Sequence, residues 1–533
     1  MAIKTLGVML DCSRNGVHTV SFIKKYVDLL SKMGYNMLQL YTEDTYEVEN
    51  EPYFGHMRGR YTQEEIKEID AYCKEKGIEL VPCIQALAHY TTLFRWEEYL
   101  PIRDCNDILL IDDDRTYRLL DNIFSTISKT FSSKRINIGM DEAHMVGLGR
   151  YLDKHGYQNR FDLLLRHLNK VCELTEKYGF KPMMWVDMFF SLAYKAYLLD
   201  SDVPDFDRDI IDKLPKNMQY IYWDYYSQQR ERFDRAFKLT KQLGDTVYAS
   251  GAWGWTGFVP HNAFGIDVLK YSMKSCLDNG IEEAFATIWG DDGGETSRLA
   301  VLPTLMCKAE FARGNFDMDL IKDKFYNLFG VKFDDYMTLD VCALFDDDKI
   351  TEQNPDKWGL YNDPFLGLFD QTEAVQKKAK NFSLARENLS KVQGGEFERI
   401  FRLTEKFCKV MEYKFDLGAR TRKAYQDGEI EELKRLVEQR YIPLISALDE
   451  FYEAFYENWH TEYKSFGWEV SDLRFGGLIR RIKTCIKRLT DYINGTEEKI
   501  EELEQVALPP SKDTSRYLMH RHLKAVTAGS MWM

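Results

Sequence analysis

The chain reads as an α/β protein: a (β/α)8 TIM barrel followed by an α-helical C-terminal domain. Three observations predict this. Eight short apolar runs alternate with longer segments of helical periodicity over the first 313 residues, the strand pattern fades after about residue 314, and the ends of the runs collect carboxylates, an arginine and tryptophans. Strands alternating with helices imply a parallel sheet, and eight repeats of the unit favour a closed barrel over an open sheet.

The runs are LGVML (6–10), NMLQLY (36–41), IELVPCI (78–84), RINIG (135–139), KPMMW (181–185), MQYIYW (218–223), TVYAS (246–250) and EAFATIW (283–289). Between the first two, VSFIKKYVDLLSKMG (20–34) sets Phe22, Tyr26, Leu29, Leu30 and Met33 on one stripe, as a crossover helix requires. Beyond the barrel, Leu444, Leu448, Phe451, Phe455 and Trp459 step by four or three, and so do Ile479, Ile482, Ile486, Leu489 and Ile493. Such stripes pack a helical domain. The expected division is a barrel over 1–315, a helical domain over 316–505 and a tail over 506–533, with PPSKDTS (509–515) breaking the last helix.

Composition narrows the function. The 533 residues carry 71 basic and 85 acidic side chains, a net charge of −14, which disfavours nucleic acid or an anionic membrane as partner, because phosphate binding needs clustered Lys and Arg. The ten cysteines include no Cys-x-x-Cys pair and no zinc-like spacing, as expected for reduced thiols in a cytoplasmic protein. The five-residue apolar run before Asp11 is too short for a signal segment, and no 18-residue apolar span follows. A small or neutral ligand fits this chain best, with no cofactor and no metal expected; a homodimer stays open.

In a barrel, function gathers where the strands end and the βα loops begin. Those ends carry Asp11-Cys12-Ser13-Arg14, Thr42-Glu43-Asp44, His89, Asp141-Glu142, Trp185-Val186-Asp187, Trp223-Asp224-Tyr225-Tyr226, Trp253 with Trp255, and Trp289-Gly290-Asp291. Five of the ten tryptophans lie in or just after the last four strands. Aromatic faces beside carboxylates and an arginine suit a sugar, whose C–H faces stack while its hydroxyls need polar partners. Asp141-Glu142-Ala143-His144 spells a helicase box, yet the chain has no Gly-Lys dipeptide from which to build a phosphate loop. A metal-dependent hydrolase using Asp44, His89, Asp141 and His144 is one alternative, weakened by the absence of His-x-His or His-Glu-x-x-His spacing. A sugar-binding protein without catalysis is another, although it has no need of both Asp141 and Glu142. On an extended chain neighbouring side chains diverge, so these two carboxylates are expected to play different parts. Their repulsion, with partial burial, raises the pKa of one, and a protonated carboxyl near neutrality is what a general acid needs.

Several separated stretches carry a resemblance: GVMLDCSRN (7–15), LYTEDTY (40–46), INIGMDEAHMVGLGRY (136–151), MMWVDMFF (183–190), YWDYY (222–226), SGAWGWTGF (250–258) and TIWGDDGGET (287–296), with Arg14 standing 29 residues before Glu43. The chain resembles the β-N-acetylhexosaminidases of glycoside hydrolase family 20, particularly the bacterial intracellular type, over about residues 1–315. The resemblance implies an exo-acting enzyme on an oligosaccharide or glycoconjugate, in which the 2-acetamido carbonyl of the sugar attacks C1 to form an oxazolinium intermediate, with net retention. It further implies that Asp141 orients the acetamide and that Glu142 is the acid and then the base. Arg14 would hold the 3- and 4-hydroxyls and Asp291 the 4- or 6-hydroxyl, while Trp185, Trp223 and Trp289 wall the acetamide. Glu43 and His89 match a carboxylate–histidine pair supporting the acid. The chain departs from the family pattern in having Gly139-Met140-Asp141-Glu142 and Glu43-Asp44 where Gly-Gly-Asp-Glu and Asp-Asp are common. After strand 7 it has Trp253-Gly254-Trp255 where a tyrosine commonly follows the tryptophan, which leaves Tyr225 or Tyr226 to supply the acetamide's hydroxyl partner.

Overall fold

The structure, a computed structural model, describes residues 3–196, 202–516 and 518–531. Eight parallel strands close a barrel in sequential order: β1 Thr5–Asp11, β2 Met37–Tyr41, β3 Glu79–Cys83, β4 Arg135–Asn137, β5 Lys181–Trp185, β6 Gln219–Trp223, β7 Asp245–Gly251 and β8 Glu283–Ile288. Closure is made by β1 on β8, with Leu6 opposite Ala284 and Leu10 opposite Ile288. Gly7 is required inside this ring, since a Cβ there would lie 2.3 Å from Met37 Cε and 3.1 Å from Phe285 Cβ.

The crossover helices form where the apolar stripes and their caps agree. In Val20–Met33 the five expected stripe residues are buried together with Ile23 and Val27, Thr19 Oγ1 accepts the Phe22 amide at 3.2 Å, and Gly34 ends the helix at φ +82°. Gln63–Glu75 starts with a capping box between Thr62 and Glu65.

The chain forms two compact units: one of residues 1–252, 266–288 and 305–317, the other of 253–265, 289–304 and 318–533. The loops leaving β7 and β8 therefore belong to the second, helical unit. In the helix Ile442–Glu462 the stripe Leu444, Leu448, Phe451, Phe455 and Trp459 is buried as expected. In Trp468–Ile493 the buried face is Ser471, Phe475, Leu478, Ile482, Cys485 and Leu489, so Ile479, Ile486 and Ile493 flank the core. An isoleucine every seventh position fits two neighbouring helical faces equally well, and the packing of Phe475 against Phe451 at 5.7 Å picks one. No helix among the described residues is long and apolar enough to cross a membrane.

Candidate active site

The strand ends of the first unit bring five expected residues into one network. Arg14 follows β1, where Asp11 Oδ1 accepts the Ser13 and Arg14 amides at 2.9 and 3.2 Å and fixes the turn. Its Nε donates to Glu43 Oε1 at 2.9 Å, and the Tyr41 hydroxyl donates to the same oxygen at 3.3 Å. Gln85, two residues past β3, donates through Nε2 both to Tyr41 Oη at 3.0 Å and to Asp141 Oδ1 at 2.8 Å. His89 Nε2 lies 3.2 Å from Asp141 Oδ2 and 3.9 Å from Glu142 Oε2. The His89 amide donates to Asp107 Oδ2 at 3.1 Å.

Two expectations change at this point. Glu43 does not pair with His89: it is taken by Arg14 and Tyr41, and the histidine belongs to Asp141. Nor do Asp141 and Glu142 simply diverge. That rule holds for extended backbone, and Glu142 sits at φ +51°, so both carboxylates approach the same imidazole nitrogen. They differ in exposure instead, Asp141 being buried and the Glu142 side chain 48% exposed.

The turn that presents them is strained and held from all sides. Gly139 and Met140 are also left-handed, at φ +65° and +68°. Such backbone costs about 1–3 kcal/mol for a non-glycine residue and persists where neighbours over-determine it. Asn137 Oδ1 accepts the Gly139 amide at 3.1 Å, Gln85 Oε1 the Met140 amide at 3.1 Å, and Asp187 Oδ2 the Glu142 amide at 2.9 Å. Asn137 is itself fixed by Gln39 Oε1, at 3.1 Å inside the barrel. His89 at φ +64° and Asn15 at +66° show the same strain at two other strand ends.

Electrostatics sort the titratable groups. Burial disfavours the His89 cation, but the Asp141 charge and hydrogen bond outweigh it and push the imidazole up to about 9. Burial likewise opposes ionisation of Asp141, and His89 with Gln85 outweighs it, holding that carboxyl below the usual range. Asp187 goes the other way: burial, then the Asp141 charge, push it well above the usual range. The carboxyl raised in this site is thus Asp187. Near neutrality Asp141 is ionised and His89 is its counter-cation, while Asp187 is the carboxyl of this group that holds its proton most strongly.

Of the remaining expected residues, Trp185 is buried against Phe285 at 5.7 Å between ring centroids. Trp223 stacks on Tyr225 at 5.1 Å and 27°, Tyr225 being buried and Tyr226 exposed. In the second unit Trp253 stacks on Trp255 at 4.4 Å, the Trp289 carbonyl accepts from Arg298 at 3.0 Å, and Asp291 Oδ2 lies 3.4 Å from His520 Nε2. Asp44, a ligand in the metal alternative, is taken by Arg58 at 3.2 Å and Thr92 at 3.1 Å. Among the described residues the side chains that do bring metal-ligating atoms within 4.8 Å of one another are His261, Asp340 and Cys342, in the second unit. There His261 Nε2 donates to the Thr351 carbonyl at 2.7 Å, and Nδ1 lies 3.2 Å from Asp340 Oδ1 without making a hydrogen bond. Gln85 and Asp187 are the functional residues that spacing missed; the signal available was a buried polar residue just past β3 and a second acid in Trp185-Val186-Asp187.

Two family models match the chain: "Glycosyl hydrolase family 20, catalytic domain" over residues 6–248 and "Glycoside Hydrolase 20C C-terminal domain" over 334–520. The chain belongs to glycoside hydrolase family 20. Among curated family 20 relatives, it is 24% identical to "Beta-hexosaminidase 3" of Arabidopsis thaliana over 204 residues, 36% of this chain and 38% of that protein. It is 28% identical to "Beta-hexosaminidase" of Vibrio furnissii over 176 residues, 26% and 29% of the two chains. With human "Hexosaminidase D" the identity is 21%, over 58% of this chain and 66% of that one. The matches to the Arabidopsis and Vibrio proteins thus span well under half of their length. Among solved structures, the family 20 exo-β-N-acetylglucosaminidase of Vibrio harveyi aligns at a TM-score of 0.48 and 16% identity, over 63% of this chain and 58% of that one. The β-N-acetylhexosaminidase of Bacteroides fragilis aligns at 0.45 and 21%, over 62% and 70%.

Proposed function

We propose that this family 20 chain is an exo-acting β-N-acetylhexosaminidase, releasing terminal β-linked N-acetylglucosamine or N-acetylgalactosamine with retention by substrate assistance. The observation that carries the reading is the ionised Asp141 beside Glu142 at the end of β4, both within reach of His89. The acetamide carbonyl oxygen attacks C1 as the C1–O bond to the leaving group breaks, and Glu142 gives its proton to that oxygen. Asp141 accepts the acetamide N–H and stabilises the positive charge growing there, each of its oxygens keeping an acceptor site beyond those used by Gln85 and His89. Water then opens the oxazolinium ring at C1 while Glu142 takes its proton back.

Arg14 holds the 3- and 4-hydroxyls in this reading and Asp291 the 4- or 6-hydroxyl. Trp185, Trp223, Trp253 and Trp289 supply apolar walls, and Tyr225 the hydroxyl for the acetamide oxygen. The cytoplasm is the proposed location, supported by ten cysteines that are all free thiols, most of them buried.

The test is hydrolysis of the p-nitrophenyl N-acetyl-β-glucosaminide and galactosaminide side by side, with a thiazoline as inhibitor. Turnover that resists chelator, thiazoline inhibition and poor cleavage of plain β-glucosides are expected. A wild type that cleaves neither substrate, or a Glu142→Gln enzyme that keeps full rate, ends the reading.

A further inference from the structure

The acid in this site is aimed by its backbone. Glu142 has a half-exposed side chain whose Oε2 lies 3.9 Å from His89 Nε2. Its φ of +51° turns the residue out of the line of β4 and sets the direction in which the side chain leaves the backbone. Left-handed glutamate relaxes unless something holds it. The Gly139 and Met140 amides are held by Asn137 and Gln85, and the Glu142 amide donates to Asp187 Oδ2 at 2.9 Å.

We propose that Asp187 is a positioning residue for the acid: by accepting the Glu142 N–H through Oδ2 it fixes the left-handed turn that points the Glu142 carboxyl at the leaving-group oxygen. The proposal rests on the functional reading above.

Three features suit Asp187 to this role. It is the first residue of the helix Asp187–Tyr194, directly after β5, and is 3% exposed, so its own position is rigid. Among the described residues its Oδ1 has no hydrogen-bond partner, and its Oδ2 accepts the Glu142 amide. The charged groups facing it are Asp141, Glu142 and His89, and burial together with the Asp141 charge pushes its carboxyl well above the usual range. A neutral acid still accepts an N–H through its carbonyl oxygen, and it does so without adding a second negative charge beside Asp141, whose charge the reaction uses. An aspartate that merely started the helix would need neither burial against Asp141 nor the bond to the Glu142 amide.

A misaimed acid hurts most where the leaving group most needs a proton. The experiment compares kcat/KM, which reports the first chemical step, on N,N′-diacetylchitobiose and on 2,4-dinitrophenyl N-acetyl-β-glucosaminide, whose departing phenolate needs no acid. Asp187→Ala is expected to lose about 100- to 1,000-fold on chitobiose, within the 10²–10⁴-fold range of general acid catalysis, and about 5-fold or less on the dinitrophenyl substrate. Asp187→Asn, an isostere of the neutral acid, should stay within about 5-fold of wild type on both. In a Glu142→Gln background Asp187→Ala should add nothing on chitobiose, since a double-mutant cycle assigns the loss to the shared element. If Asp187→Ala does not fold, Asp187→Leu fills the site without an acceptor and carries the comparison. Equal losses on the two substrates, no loss on either, or an Asp187→Asn enzyme as impaired as Asp187→Ala overturns the positioning role and leaves the hexosaminidase reading intact. A wild type inert towards both substrates overturns both.

Discussion

The two ends of β4 handle charge in opposite ways. At its start Arg135 lies between Glu79, at 2.7 Å, and Glu283 of β8, at 2.5 Å. Ser133 Oγ adds a bond to Glu79 at 2.7 Å and Gln219 Nε2 one to Glu283 at 3.3 Å. Every charge there meets a partner, and strands that are not neighbours in the barrel are tied together. A few residues on, past its end, the Asp141 and Glu142 carboxyls approach one nitrogen of His89, two of these three residues have left-handed backbone, and a buried Asp187 oxygen is left bare. One end spends its charges on holding the ring closed. The other end leaves charge unbalanced and backbone strained, the arrangement that the proposed chemistry would use.

Substitutions should separate the two ends. The largest effect is expected from Glu142→Gln, a loss of about 10²–10⁴-fold in kcat with an unchanged melting temperature, read by p-nitrophenol release and calorimetry. Asp141→Asn follows, with a loss of about 10²–10³-fold, the size seen when one group stabilising developing charge is removed. Arg135→Met should do the reverse. Removing one partner of a buried ion pair costs about 3–5 kcal/mol, and since the Glu79 side chain is 39% exposed the expected loss is about 2–4 kcal/mol in denaturant unfolding, with kcat within about 3-fold of wild type. Gly139→Ala sets a Cβ 2.2 Å from Gln85 Oε1 at φ +65°, and should cost about 1–3 kcal/mol of stability along with part of the activity.

The smallest effect is a pH dependence. His89 is raised from 6.5 to about 9 on folding, so its contribution to stability is complete below pH 6.5 and disappears as the pH rises through 9. Asp141 is lowered from 3.8, so its share is present above that value and is lost on further acidification. The melting-temperature gap between wild type and His89→Gln should therefore be widest near pH 5–6 and close by about pH 10. A gap that widens with pH would contradict the pairing.

Much of this arrangement is legible in the sequence, for a physical reason. All eight strands were visible because each is an apolar run bounded by polar or turn residues, and the barrel followed from their alternation with helices. RINIG extends two residues too far because Gly139 and Met140 leave the strand as a left-handed turn; a glycine announces such a turn and a methionine does not. The Asp141-Glu142 pair stands out by its position at a strand end. Gln85 and Asp187 stayed hidden because they act on amides of a turn whose shape no spacing rule contains. The mispairing of Glu43 has a similar source: Arg14, Glu43 and His89 all sit at strand ends, and only distances decide which carboxylate each cation takes.

Phe258, in the loop after β7, packs on Phe407, Phe451, Phe455 and Phe475, at 5.4 to 6.2 Å. Its amide and that of Val259 are held by Asp356. Synthesis runs from the N-terminus, so when β8 leaves the ribosome these partners, 100 to 220 residues downstream, do not yet exist. The eight strands are then complete while the loops after β7 and β8 still wait for their core. A nascent chain halted near residue 315 is expected to leave Phe258 without these partners, the last of which comes with the helix Trp468–Ile493.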